Sequence, residues 1–368
     1  MNKLELSYEA IHDRDILIAI PSMAIAIGIL YMPRKLAQPT IGLDAVLSIL
    51  LGGIIIILFT WLTVRLASKF PGQSFITYAS KLASKPVAIG ITLLFVLHGI
   101  FITSFEIRAI SNISHLYLFD KTPIEIISFV FLLAVVYAVS GSRAAIFRLN
   151  ALFLPFIIVA IIALALLSFR FTEINNALPV FQTNLDGYFV TTYRSMLTIS
   201  GFGVLGYLLF YVPLIKSPTQ TSKASIIGVL WVIASHLIVL IITILVFGNI
   251  ATSNLIFPVI ELARDIELPG EFFNRFDSLF FAIWIMAIFN TSAMSFDVAV
   301  LALQSLFKKV TKLKIVFILS PIIYFISSLP KNSYETGLSG RVIGYLGLGL
   351  SIGVTLLLFL LRMIRGVK

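Results

Sequence analysis

Ala24-Ile25-Ala26-Ile27-Gly28 and Ser200-Gly201-Phe202-Gly203 are the two stretches on which the reading of this chain turns. The first lies inside the hydrophobic run Ile16 to Met32, the second inside Tyr193 to Ile215, about half the chain further on. Each puts small residues at the middle of a segment otherwise fit to cross a bilayer. A helix broken at that depth frees backbone groups that lipid cannot satisfy, so the break persists only beside protein or a polar cavity. A matched pair of breaks in the two halves of a membrane chain points to a small-molecule site at the midplane. Pro21 and Pro33 bracket the first break, and Gly28 permits close approach there.

Composition agrees with a membrane chain. Of 368 residues 59% are hydrophobic and 12% charged, and apolar runs longer than about 18 residues recur throughout. With no cysteine, disulfides, thiolate catalysis and Cys-based metal sites are excluded. The first apolar run lacks a small-residue cleavage site and leads directly into a second span, so it reads as an uncleaved helix. The net charge of +10 does not imply nucleic acid, because the charges sit between spans.

Ten spans are expected, at about 15–36, 42–68, 87–118, 123–140, 144–169, 190–215, 223–249, 271–306, 313–330 and 340–364. The third exceeds the roughly 30 Å hydrocarbon core and should tilt or project. One set of loops and tails holds seventeen of the 27 Lys and Arg, from Lys3 and Arg14 to Arg365 and Lys368. The opposite side holds nine: Arg34, Lys35, Lys121, Arg170, Arg194, Arg264, Arg275, Lys331 and Arg341; Arg108 alone falls near mid-span. This bias puts both termini in the cytoplasm. The long loops 170–189 and 250–270 then lie outside. In the second, Pro258 to Glu267 has an amphipathic helical pattern closed by Pro269-Gly270. It reads equally as an outer cap on a cavity or as an interfacial helix on the lipid.

No linker divides the chain, so residues 1–368 form one integral membrane domain. With spans one and six broken, about 15–169 and 190–364 become two five-helix repeats. An odd repeat length inverts the second copy relative to the first. The fold class is therefore all-α and polytopic, with ten transmembrane helices in a LeuT-like five-plus-five inverted repeat.

Candidate ligand contacts gather at the breaks. Ala24, Ala26 and Gly28 mark the first; Thr198, Ser200, Gly201, Phe202 and Gly203 mark the second, with hydroxyls at Thr198 and Ser200 and an aromatic lid at Phe202. Exposed half-helix amino termini there would attract a carboxylate, and loose carbonyls an ammonium group or cation. Glycine used only for tight helix packing is the competing explanation. In span three, His98, Ile102 and Glu106 share one face at i, i+4, i+8, a stripe suited to protons, ions or water. Arg108 points elsewhere and is no intrahelical partner of Glu106. In span eight, Asn290 and Thr291 sit near the middle, and Asp297, about two turns on, needs a partner or water. Interhelical hydrogen bonding explains the neutral members equally. No phosphate-binding glycine loop, zinc motif or nucleophile with paired carboxylates appears, so no enzyme is expected. His12, His98, His115 and His236 are scattered, so neither a metal nor a cofactor is expected.

Three further stretches carry a family resemblance: Ile27-Gly28-Ile29-Leu30-Tyr31-Met32-Pro33, Lys69-Phe70-Pro71-Gly72-Gln73-Ser74, and Phe257-Pro258-Val259-Ile260-Glu261-Leu262-Ala263-Arg264-Asp265-Ile266 continuing through Glu271-Phe272-Phe273-Asn274-Arg275-Phe276-Asp277 to Trp284-Ile285. The chain resembles the B subunit of the GerA-type spore germinant receptors, in the amino acid–polyamine–organocation transporter superfamily. The resemblance implies a spore inner-membrane complex with A and C subunits that recognises a small germinant such as an amino acid. It also implies ligand contacts from spans one, three, six and eight, here Gly28, His98, Ile102, Ser200, Gly201 and Thr291, with Glu106 on a water or ion path. The superfamily's transporters place a small residue two before the span-one glycine, where this chain has Ala26. Span five, Ala144 to Phe169, contains no lysine, which excludes a proton-coupling lysine there. An ion-coupled amino-acid transporter is the alternative function, and a purely structural anchor of the receptor complex a third.

Overall fold

The computed structural model describes residues 11–266 and 276–365. Lys3, Arg275 and Lys368 of the charge pattern lie outside the described residues. So do Glu267, Pro269-Gly270, the first residues of span eight and the Glu271 to Arg275 part of the third motif.

Among the described residues the regular structure is helical throughout. The first span is split into α1, Asp13–Ala24, and α2, Ile27–Ala37, bent by 57°. Then come α3, Ala45–Ala67, a short α4, Phe75–Leu82, α5, Lys85–Tyr117, α6, Ile124–Ser140, and α7, Arg143–Ser168. The second half repeats the scheme. Here α8, Leu185–Ile199, and the helical stretch α9, Val204–Leu214, meet at 44°. They are followed by α10, Thr221–Asn254, α11, Pro258–Arg264, α12, Phe276–Leu306, α13, Lys312–Ser328, and α14, Ser333–Arg365.

Six of these helices are long and apolar enough to cross a membrane, and the two bent pairs raise the number to eight. The remaining expected spans, α6 and α13, have 17 residues each. At 1.5 Å per residue that is roughly 25 Å, a turn or so short of the hydrocarbon core. The two broken spans fall where the small residues placed them. The eight-residue α4 was not expected. It buries Phe75 against Phe95 and Phe210, stacked on the latter at 4.5 Å, and Tyr78 against Phe70 and Phe75.

Large apolar side chains cover the outside: Ile54, Val130, Val159, Leu166 and Phe325 are all exposed. Polar side chains such as Ser22, Thr103, Asn150 and Asn290 are buried. Lipid as solvent explains both, since a helix in lipid gains nothing by hiding leucine and is held by packing and interhelical hydrogen bonds. The chain is a multi-pass membrane protein.

Loop contacts sort the two sides. Asp13 accepts hydrogen bonds from the Gln220 amide and the Thr221 hydroxyl, Gly72 N–H donates to the Pro213 carbonyl at 2.7 Å, and Arg365 donates to the Lys81 carbonyl at 3.4 Å. The two described chain ends therefore share one side. On the other, the Asp44 carboxylate at the start of α3 accepts the backbone N–H groups of Phe181, Gln182 and Thr183, pinning the 170–189 loop. Helix α11 lies on that side too, with five of its seven residues buried. The Phe257 ring just before it packs, tilted, on Tyr31 at 4.9 Å, and Tyr117 donates to Glu261 at 2.8 Å. The helix packs against protein rather than lying on lipid, where one whole face would be exposed.

Candidate functional site

The breaks can exist because neighbouring helices take up the backbone groups they release. At the first, Ala26 leaves helical geometry (φ −130°, ψ −131°). The Met23 carbonyl accepts the Thr291 hydroxyl at 2.9 Å, and the Ala26 carbonyl accepts the Trp284 indole N–H at 3.3 Å. Both donors come from α12.

At the second break Gly201, Phe202 and Gly203 all have positive φ (57°, 57° and 95°). The Phe202 carbonyl accepts from His98 Nε2 at 3.1 Å, and the Gly203 carbonyl from the Ser351 hydroxyl at 2.6 Å. A carbonyl can only accept, so Nε2 carries the proton, and in a neutral ring Nδ1 accepts from the Tyr207 hydroxyl at 2.9 Å. Span eight thus serves the break in span one, and span three serves the break in span six. An inverted five-helix repeat pairs those same spans.

The breaks also touch. A Cβ on Gly201 would lie 2.9 Å from Ala24 Cα and 3.1 Å from the Met23 carbonyl oxygen. One on Gly203 would overlap the Gly347 backbone, so only glycine fits. Gly28 is different. Its Cβ would sit 3.4 Å from the Phe202 ring, an ordinary contact.

Between these elements lies a cavity of about 180 Å³. Its inner end is Gly28, Phe105, Thr198, Phe202 and Gly344; its outer end is Lys35, Gln38, Arg194, Arg341 and Tyr345. A second cavity shares Tyr31, Lys35, Gly337 and Arg341 with it and adds Arg34. The void opens away from the side that carries the chain ends. Phe202 packs edge-on against Phe105 at 5.7 Å at the inner end. The Thr198 hydroxyl donates to its own helix, at 3.1 Å to the Ser195 carbonyl, so it faces the cavity as an acceptor.

Of the twelve residues singled out in the sequence as ligand contacts, Gly28, Thr198 and Phe202 line this cavity. Ala24, Gly201, Gly203, His98 and Thr291 shape the breaks behind it. Ala26 and Ile102 are buried, and the Ser200 hydroxyl donates to the Leu197 carbonyl. Asn290 is buried with neither amide atom hydrogen-bonded among the described residues. Glu106 is buried with Oε2 likewise unpartnered, within electrostatic reach of Tyr31. Asp297 has partners: Arg143 Nε at 2.7 Å, Lys312 Nζ at 3.6 Å and the Tyr211 hydroxyl at 3.2 Å. These join α12 to α7, α13 and α9 on the side that carries the chain ends.

Sequence reasoning missed Phe105, Leu197, Gly340 and Gly344 in the inner wall and Lys35, Arg194 and Arg341 in the outer one. Apolar wall residues carry no sequence signal of their own. The cations do, because they belong to the minority of nine Lys and Arg that the sequence pattern sets apart from the other seventeen.

The family model for spore germination proteins matches residues 10–336. Curated relatives include spore germination protein GerLB of Bacillus cereus, 40% identical over 371 residues, covering 99% of this chain and 97% of that protein. Spore germination proteins YndE and B2 of Bacillus subtilis (strain 168) are each 28% identical, covering 90% and 89% of both chains respectively. Among solved structures, MhsT in complex with L-phenylalanine aligns with a TM-score of 0.70 at 16% identity, covering 97% of this chain and 99% of that one. That likeness supports the LeuT-like architecture. With the family model matching most of its length, this chain belongs to the spore germination protein family, a germination family and not an enzyme family.

Proposed function

We propose that this chain is the B subunit of a spore germinant receptor, binding a small germinant, an amino acid in the simplest case, in the cavity between the two broken helices. The observation that carries this is the cavity itself. It lies where both breaks meet, in a chain of the spore germination family. Gly28, Thr198 and Phe202 would touch the ligand, while His98, Thr291 and Gly201 would hold the backbone around it. The chain would act by binding, with A and C subunits as partners in the spore inner membrane and both termini on the core side. Glu106 and Asn290, buried with unpartnered atoms, would be satisfied by water within the bundle. The Asp297 cluster would latch the terminal side shut, and ligand binding would bias that latch only if its affinity differs between the open and closed states.

The test is germination of spores lacking other receptors and carrying this subunit with its operon partners. A germinant response lost in Phe202→Trp at normal protein level supports the reading. A response independent of every cavity residue moves recognition to a partner. Ion-coupled transport predicts uptake of labelled amino acid by vesicles holding this chain alone.

A further inference from the structure

We propose that the outer half of this cavity is an anion-binding vestibule in which Lys35, Arg194 and Arg341 select ligands bearing a carboxylate. The proposal rests on the reading that germinant enters this cavity, and it adds the chemical class.

The three cations come from three different helices, α2, α8 and α14, yet they line one void. Lys35 lies within electrostatic reach of Arg34, Arg194 and Arg341, and Arg194 within reach of Arg341. Among the described residues none of the three forms a salt bridge. Arg194 instead donates to the Lys35 backbone carbonyl at 2.6 Å, which orients it but supplies no negative charge. Four of the nine basic residues that the sequence places on this side, Arg34 included, converge on one mouth. Random surface placement would scatter them over every outer loop.

Like charges gathered beside low-dielectric walls repel one another and concentrate anions. A carboxylate seated among them removes that repulsion and gains charge-assisted hydrogen bonds. The rest of the cavity is built for the remainder of such a ligand. Leu197, Phe105 and Phe202 offer an apolar inner end, and the nearby acid, Glu106, is buried. A ligand therefore enters with its apolar part inward and its carboxylate at the mouth. Neutral sugars and nucleosides leave the cations uncompensated, and a cationic ligand adds to their repulsion.

The test uses the full chain in phosphatidylcholine nanodiscs, with thermal-shift binding of L-alanine, L-leucine and L-phenylalanine, their carboxamides, and inosine. The proposal expects one or more of the acids to bind, with the matching amide and inosine at least about tenfold weaker. It expects Arg341→Gln and Arg194→Gln each to weaken the acid by about tenfold, and added salt to weaken it further. Because Arg194 also braces the Lys35 backbone, Arg341→Gln is the cleaner variant. Equal binding of acid and amide, or of inosine, overturns the proposal. Acid binding that survives Arg341→Gln and Arg194→Gln but is lost in Gly28→Val overturns it while keeping the cavity. Binding indifferent to Gly28→Val removes the cavity reading itself. Displacement of the acid by added phosphatidylglycerol would assign the cations to a lipid headgroup and likewise overturn the proposal.

Discussion

Replacing Gly201 by alanine tests whether the two breaks truly meet. Gly201 has φ +57°, and its new Cβ would stand 2.9 Å from Ala24 Cα, 3.1 Å from the Met23 carbonyl oxygen and 2.8 Å from a Val204 methyl. The left-handed backbone costs alanine about 1–2 kcal/mol. The overlap is with backbone on one side, which cannot rotate away, so overpacking adds about 1–3 kcal/mol. Together they take roughly 2–5 kcal/mol from a protein whose net stability is of order 5–15 kcal/mol. Gly28→Ala is the matched control, because its Cβ makes only ordinary contacts, 3.4 Å from the Phe202 ring and 4.0 Å from Thr198 Cβ. The assay is the thermal unfolding midpoint of the two variants purified in one detergent. Gly201→Ala should unfold well below the parent and Gly28→Ala close to it. Equal midpoints for both variants would refute the contact between the breaks.

Three other outcomes are expected. Asp297→Asn should destabilise the fold by about 2–4 kcal/mol, somewhat under a fully buried pair because the Arg143 side chain stays 21% exposed; pairing it with Arg143→Met should recover part of the loss, as a denaturation double-mutant cycle would show. Thr291→Val should cost about 0.6–2 kcal/mol by orphaning the Met23 carbonyl, and Thr291→Ser should restore it in the same assay. At Asp44 burial alone would raise the carboxyl, but hydrogen bonds from Thr183 and Phe181 outweigh it and hold the group below the usual carboxylate range. The folded value being the lower, this anchor is complete above the unfolded value near 4 and is lost as pH falls through the folded one, so hydrogen exchange in residues 181–183 should rise in strong acid and, in Asp44→Asn, already at pH 6.

The large features were legible because they follow from local chemistry. Small residues at 24–28 and 200–203 interrupt apolar runs, and the helices do break there. Pro258 to Arg264 has the pattern of a short amphipathic helix, though whether its apolar face met protein or lipid depended on neighbours the pattern does not name. Asp297 announced its need for a partner, but the identity of Arg143 rests on a contact across 154 residues. The cavity wall was mostly hidden. Phe105 sits beside Glu106 in sequence and looks like any lipid-facing phenylalanine until the rotation of α5 is known. Arg194 and Arg341 are 147 positions apart, and only the crossing of α8 and α14 makes them neighbours. Helix α4 was missed because eight residues between two spans carry too little periodicity to stand out.

The measurement that bears most directly on the central claim is the half-saturating germinant concentration of spores in which this subunit and its operon partners are the sole receptor. It should be taken for the parent, Gly28→Val and Phe202→Leu, with subunit levels matched by immunoblot. Gly28 and Phe202 face each other across the inner end of the cavity, so both substitutions alter its volume without touching the latch at Asp297. The account predicts that both shift the half-saturating concentration several-fold while the maximal rate stays near the parent's. Unchanged concentration dependence in both, at normal subunit levels, would place germinant recognition outside the broken-helix cavity and contradict the account.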